Sequence, residues 1–156
     1  MKNETYMTEP LFTTTSSQDT DMQAAYEKAA STILDFIGLV KRNNHSITMA
    51  KLRFRDPYLS EQLGQDQFIY LWLNEIIYHE EDNLLSGVFF ELPQELEQWH
   101  QVGERLGFES EGVFDWCAIQ SGCATGGFTL QVARSHLKTD QQKKEYDALL
   151  GIHSFA

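Results

Sequence analysis

Between residues 68 and 78 the chain reads Phe-Ile-Tyr-Leu-Trp-Leu-Asn-Glu-Ile-Ile-Tyr, apolar at consecutive positions except Asn74 and Glu75. Side chains alternate between the two faces of a strand, so this run puts apolar groups on both and needs cover on both. That places it at the centre of a sheet. His79-Glu80-Glu81-Asp82-Asn83 is a polar turn, and residues 84–92 supply a second strand, so the two form a long antiparallel hairpin. Pro93, which has no amide donor, ends the second strand. Residues 94–100 suit a short helical turn, followed by a loop containing Gly103.

A central strand needs neighbours and a cover. Residues 46–55 alternate, with Ala50, Leu52 and Phe54 on one side and Lys51, Arg53 and Arg55 on the other, the pattern of a half-exposed strand. Asp56-Pro57 breaks it, and a loop is expected to about Gln65. Upstream, Met22, Tyr26, Ala29, Ile33, Phe36 and Val40 recur at spacings of four and three, which sets them on one face of an amphipathic helix able to cover the sheet. Thr20 with Gln23 forms a capping-box pattern at its start, and Asn43-Asn44 suits its end. Residues 1–18, rich in Thr and Ser without apolar period, are expected to be a flexible tail before a single domain at 19–156.

The C-terminal third is the most informative for architecture. Residues 113–119 read as a strand, Ser121-Gly122 as a turn, and Gly126-Gly127 as a place where a side chain would obstruct the backbone. Residues 128–137 fit strand or helix equally well. Thr139 and Gln142 form a second capping box, Tyr146, Leu149 and Leu150 share a face, and Gly151 suits a left-handed C-cap, so a short terminal helix follows. The fold class is therefore α+β: an N-terminal amphipathic helix on a mainly antiparallel sheet, with a short C-terminal helix.

Asp115-Trp116, Ser121-Gly122, Gly126-Gly127, Thr129-Leu130 and the terminal helix together resemble the YegJ-like bacterial domain of unknown function. The likeness extends upstream to Trp72, to Gly87 before Pro93 and to the early helix, covering residues 22–155. Glu91-Leu92-Pro93 departs from the Asn-x-Pro expected there, and Gly103-Glu104 from Gly-Asp. The resemblance implies a bacterial α+β domain and carries no reaction.

Composition then narrows function. With 12 Lys and Arg against 23 Asp and Glu, the net charge of -11 would repel nucleic-acid phosphates and anionic lipid, and favours a basic partner. No stretch approaches the roughly 20 apolar residues of a membrane span, and the N-terminus lacks the pattern of a secretory signal, so a cytoplasmic location is expected. For that reason Asn44-His45-Ser46 is read as a chance glycosylation match. Cys117 and Cys123 lack zinc or CxxC spacing and read as reduced thiols. Cys117 has no activating motif, although His79, His100, His136 or His153 could serve as a base if folded close to it. His79-Glu80-Glu81-Asp82 has no metal-site spacing and reads as a solvated turn, and Gly126-Gly127 lacks the context of a phosphate loop. No catalytic residue, metal ligand or cofactor is assigned.

Two sites remain. Trp99, in the acidic segment Glu95-Leu96-Glu97-Gln98-Trp99, is the candidate anchor for a basic protein such as a toxin, which would make the chain a non-enzymatic inhibitor or immunity protein. The alternative is a small-ligand or enzymatic pocket at Asp115, Trp116, Gly126 and Gly127, where glycine lets a ligand approach the backbone. The structural alternative for Asp115 is that it accepts hydrogen bonds from the turn before Gly126-Gly127 while Trp116 packs in the core. Self-association through an outer strand is a third reading.

Overall fold

The computed structural model of the chain describes residues 20–156. In order, the elements are α1 (Thr20–Ser31), α2 (Ile33–Arg42), β1 (Ile47–Arg55), α3 (Pro57–Leu63), β2 (Phe68–His79), β3 (Leu84–Phe89), β4 (Arg105–Phe108), β5 (Val113–Gln120), β6 (Cys123–Gly126), α4 (Phe128–Ser135), α5 (Asp140–Leu150) and β7 (Ser154–Phe155). The expected tail at 1–18 lies outside the described residues. The strands form one sheet of order β4-β3-β2-β1-β5-β6-β7. Every pairing is antiparallel except β6 with β7. The fold is thus the α+β class expected from the alternation of periods.

The two-faced apolar run is β2, and both of its faces are covered. Ile69, Leu71 and Leu73 join Ala50, Leu52 and Trp116 in one buried cluster with Ala29 of α1 and Phe36 and Val40 of α2. Trp72, on the opposite face, joins Met49, Cys117 and Ile119 in a second cluster with Leu130 and Ala133 of α4 and Tyr146 of α5. Adjacent residues on β1, β2 and β5 divide between the clusters, as the strand period of two requires.

The single N-terminal helix expected from the apolar spacing is two helices. Thr32 interrupts it with φ -114 and ψ 13. Its hydroxyl returns to Lys28 O at 2.8 Å and Ala29 O at 3.3 Å, and also accepts from Trp116 Nε1 at 3.1 Å. A hydroxyl bonded back onto the preceding turn bends a helix, and the Trp116 contact fixes the bend over β5. Thr20 is the first helical residue rather than the cap, and Asn43 takes the left-handed C-cap at φ 54.

Other expectations need correction. The loop expected after Asp56-Pro57 is largely α3: Asp56 ends its strand and also caps the helix, accepting from Tyr58 N and Leu59 N at 3.0 Å each, with Pro57 in the first turn. The strand expected over 84–92 stops at Phe89. Residues 94–96 form a 3-10 turn, and β4 follows where only a loop was expected. Residues 128–135 are helical. In α5 both halves of the Thr139–Gln142 capping box form and Gly151 is left-handed, yet Leu149 is solvent-exposed while Tyr146 is buried.

The β6-to-α4 corner depends on Gly126, which adopts φ +81 with its α-carbon against the Trp116 carbonyl and indole. A Cβ there would collide with both, on a backbone conformation that side chains disfavour. Gly126→Ala is expected to destabilise the fold by about 3 kcal/mol or more in urea titration. Gly112→Ala, which meets open space at ordinary φ, should change stability by well under about 1 kcal/mol.

Candidate functional site

The residues of the C-terminal candidate site do come together, around a buried carboxylate. A register shift between Lys51 and Leu52 lets Phe114 bulge from β5, and Asp115 then stands directly across the ladder from Lys51. Asp115 is wholly buried. Its Oδ1 accepts from Trp116 N at 2.8 Å and Phe128 N at 3.2 Å, and its Oδ2 from Thr129 N at 2.8 Å and the Thr129 hydroxyl at 2.5 Å. Two of these donors are amides without intrahelical partners at the start of α4, whose preceding residue, Gly127, has no side chain to cap it. Asp115 does that work from β5. The donors thus come mainly from the helix start beyond Gly126-Gly127, not from the turn before it as expected, because it is the first amides of α4 that lack partners. Trp116, in the core as expected, stacks on Phe36 at 5.1 Å and meets Phe128 edge-on at 5.6 Å.

Lys51 is the residue that sequence reasoning placed wrongly. Expected on a solvated strand face, it is 1% exposed, with Nζ 3.4 Å from Thr129 Oγ1 and 5.4, 5.6 and 5.9 Å from the rings of Tyr26, Tyr70 and Trp72. The aromatic rings and the facing carboxylate compensate a charge that water no longer solvates. Arg53, two residues on, is exposed, and its guanidinium lies over the Phe68 ring at 3.9 Å.

Burial pushes the Asp115 carboxyl up from 3.8 to about 6, against the opposing pull of the Thr129 hydroxyl, Lys51 and the backbone amides of Thr129 and Trp116. The folded state consequently holds this proton more tightly than the unfolded chain. Its contribution to stability is fully present below about 3.8 and is lost as pH rises through about 6. Asp115→Asn should remove that component, so the difference in stability between wild type and variant changes across this window and is flat above it, measured by urea melts at stepped pH. Asp115→Ala, which strands the α4 amides and leaves Lys51 without its counter-charge, should cost about 3 kcal/mol at neutral pH.

Cys117 is buried on the same strand; burial first, and the neighbouring Asp115 charge second, push its thiol well above the ordinary range. It is held as a neutral core group rather than a nucleophile. Cys123 is exposed, and it pairs in register with Gln120 while Cys117 pairs with Gly126, so the thiols do not face each other. A thiol reagent added to the native protein should label Cys123 rapidly and Cys117 only on unfolding; Cys123→Ser should abolish the rapid phase.

The second candidate site lies on the surface. Trp99 is 51% exposed and Tyr58 of α3 is 55% exposed; their rings stand 6.5 Å apart, and the Tyr58 hydroxyl donates to Gln98 Oε1 at 3.3 Å. Beside them is a shallow cleft of about 270 Å³ lined by Phe54, Arg55, Pro57, Leu96, Trp99 and His100. Glu97 is exposed, and Glu95 keeps one buried carboxylate oxygen without a hydrogen-bond partner. Tyr58 is the member of this surface that the sequence did not single out, because its helix was read as a loop.

None of this cleft, the groove between α1 and α4, or the cavity beside Glu75 is lined by Asp115, Trp116, Gly126 or Gly127. Among the described residues no three His, Cys, Asp or Glu side chains gather as a metal site, and His79 instead hydrogen-bonds Ser86 Oγ at 2.7 Å. No described helix is long and apolar enough to cross a membrane.

A mainly antiparallel sheet covered on both faces, with a carboxylate on β5 capping α4 and an exposed aromatic pair on one side, defines an α+β domain. The chain belongs to the family described as "Uncharacterized protein conserved in bacteria (DUF2314)", whose model matches residues 19–154. It is also similar to a protein of Neisseria meningitidis serogroup B named "Putative ankyrin repeat protein", 33% identical over 94 residues. That match covers 58% of this chain and 35% of the relative, so the chain spans only about a third of the relative's length. No solved structure matches the chain.

Proposed function

We propose that this chain is a non-enzymatic, cytoplasmic protein-binding domain, an inhibitor or immunity protein that covers a basic partner through the Trp99 surface, and that its family is the YegJ-like one. The exposed Trp99–Tyr58 pair beside a shallow cleft carries the reading, since aromatic side chains dominate the centres of protein interfaces. Glu95 and Glu97 beside it, one with an unpartnered carboxylate oxygen, suit a cationic partner, and the net charge of -11 would steer such a partner in. A relative whose name includes ankyrin repeats is in keeping with a role beside other binding modules, because repeat arrays present extended binding surfaces. A ligand pocket at Asp115, Trp116, Gly126 and Gly127 is the weaker reading: the carboxylate that would meet a ligand is already committed to four donors.

The full chain, returned with an affinity tag to its native host, should capture one identifiable basic protein. Titration of that purified partner should show binding weakened about 30-fold by Trp99→Ala, with the melting temperature of the free variant little changed, and weakened again by salt. Failure to form any specific complex, or a complex indifferent to Trp99→Ala and to salt, overturns the reading.

A further inference from the structure

A separate cavity of about 430 Å³ opens where β2 departs from regular pairing. Asn43 at the end of α2, His45 to Thr48 at the start of β1, Asn74 to Ile77 of β2 and Arg105 of β4 all reach it. The ladder between β2 and β3 shifts between Asn74 and Ile77, and Glu75 sits at φ 51, a left-handed conformation uncommon for a residue with a side chain. Three contacts hold it there. Arg105 Nη1 donates to Glu75 O at 3.0 Å; Ile76 N donates to Thr48 Oγ1 at 3.0 Å; and Gly87 leaves room for Ile76, whose Cδ1 would lie 2.7 Å from any Cβ at that position. Strained backbone persists where its surroundings over-determine it, and bulges recur beside binding sites.

The chemistry of the walls is unfinished. Arg105 Nη1 is fully engaged, donating also to Ser86 Oγ at 2.9 Å, so the guanidinium is fixed in place. Its Nε and Nη2 donate to nothing among the described residues, and this is the edge of an arginine that receives a carboxylate through two parallel bonds. His45 Nδ1 and Asn74 Oδ1 are buried without hydrogen-bond partners. Such atoms cost stability until paired, and both residues line the cavity. Glu75 adds an exposed side chain at the rim.

A fixed cation with a free bidentate edge, set against an amide oxygen and a carboxylate, matches a molecule with an anionic and a cationic end. We propose that this cavity binds a small zwitterion of the free α-amino-acid class, its carboxylate on Arg105 and its ammonium between Asn74 Oδ1 and Glu75. The volume lies within the range of small-molecule sites. This site does not involve Trp99, so it stands or falls separately from the protein-binding reading.

Calorimetric titration of the full chain with the proteinogenic L-amino acids tests it, with sodium acetate and methylammonium chloride as probes carrying one charge each. At least one amino acid should bind saturably, and acetate and methylammonium at least about tenfold more weakly. Arg105→Lys, which keeps the charge but loses the bidentate edge, and Glu75→Gln, which alters only an exposed side chain, should each weaken that binding about tenfold. Because Arg105 also braces the bulge, Glu75→Gln keeps the test decisive should Arg105→Lys unfold. Absence of binding by every amino acid, binding matched by acetate alone, or binding unaffected by Glu75→Gln overturns the proposal.

Discussion

The corner between β6 and α4 rests on a carboxylate supplied from another element. A helix that begins on two glycines has no side chain of its own to receive its first amides, and Asp115 reaches them from β5. That arrangement places the carboxylate beyond water, which in turn allows Lys51 to be buried opposite it and draws Tyr26, Tyr70 and Trp72 around the ammonium. Trp116, adjacent in sequence, ties the same corner to the other face of the sheet through Thr32 and Phe36. One short stretch of β5 thus couples helices on both sides. Its chemistry is that of a structural joint: the oxygen atoms are occupied, and the neighbouring thiol is held neutral.

Much of this was legible because it depends on local pattern. Consecutive apolar residues from Phe68 announce a strand buried on both faces, and Thr139 with Gln142 announces a helix start, since both signals arise from contacts within a few residues. The failures have particular causes. Asp56-Pro57 suits the end of a strand and the start of a helix equally, and here it serves both. β4 is four residues long and includes Gly107, too short for alternation to register. Thr32 breaks a helix whose apolar spacing runs on undisturbed, and its reason, the Trp116 indole, lies 84 residues away in sequence.

The candidate sites divide along the same line. Trp99 is identifiable from its acidic setting, and it stands at the surface. Lys51 is hidden from sequence reading because alternation reveals two faces without revealing what covers the second; a lysine on the polar side reads as solvated until α4 and three aromatic rings are placed over it. The cavity at Glu75 is less legible still. Its shape comes from a register shift between two strands, and Glu75, lacking the glycine that commonly marks a left-handed position, leaves no trace of it.

The sheet also tapers. β2 is 12 residues long at its interior, whereas the outermost strands, β4 and β7, have four and two. An edge offers backbone amides and carbonyls to any chain that can lie alongside, and the hold such a chain gains grows with the number of bonds it can make. At these two borders that number is small. Among the described residues the long, two-faced apolar strand at the centre of the sheet is thus flanked, at both borders, by strands that offer a passing chain only a few backbone bonds.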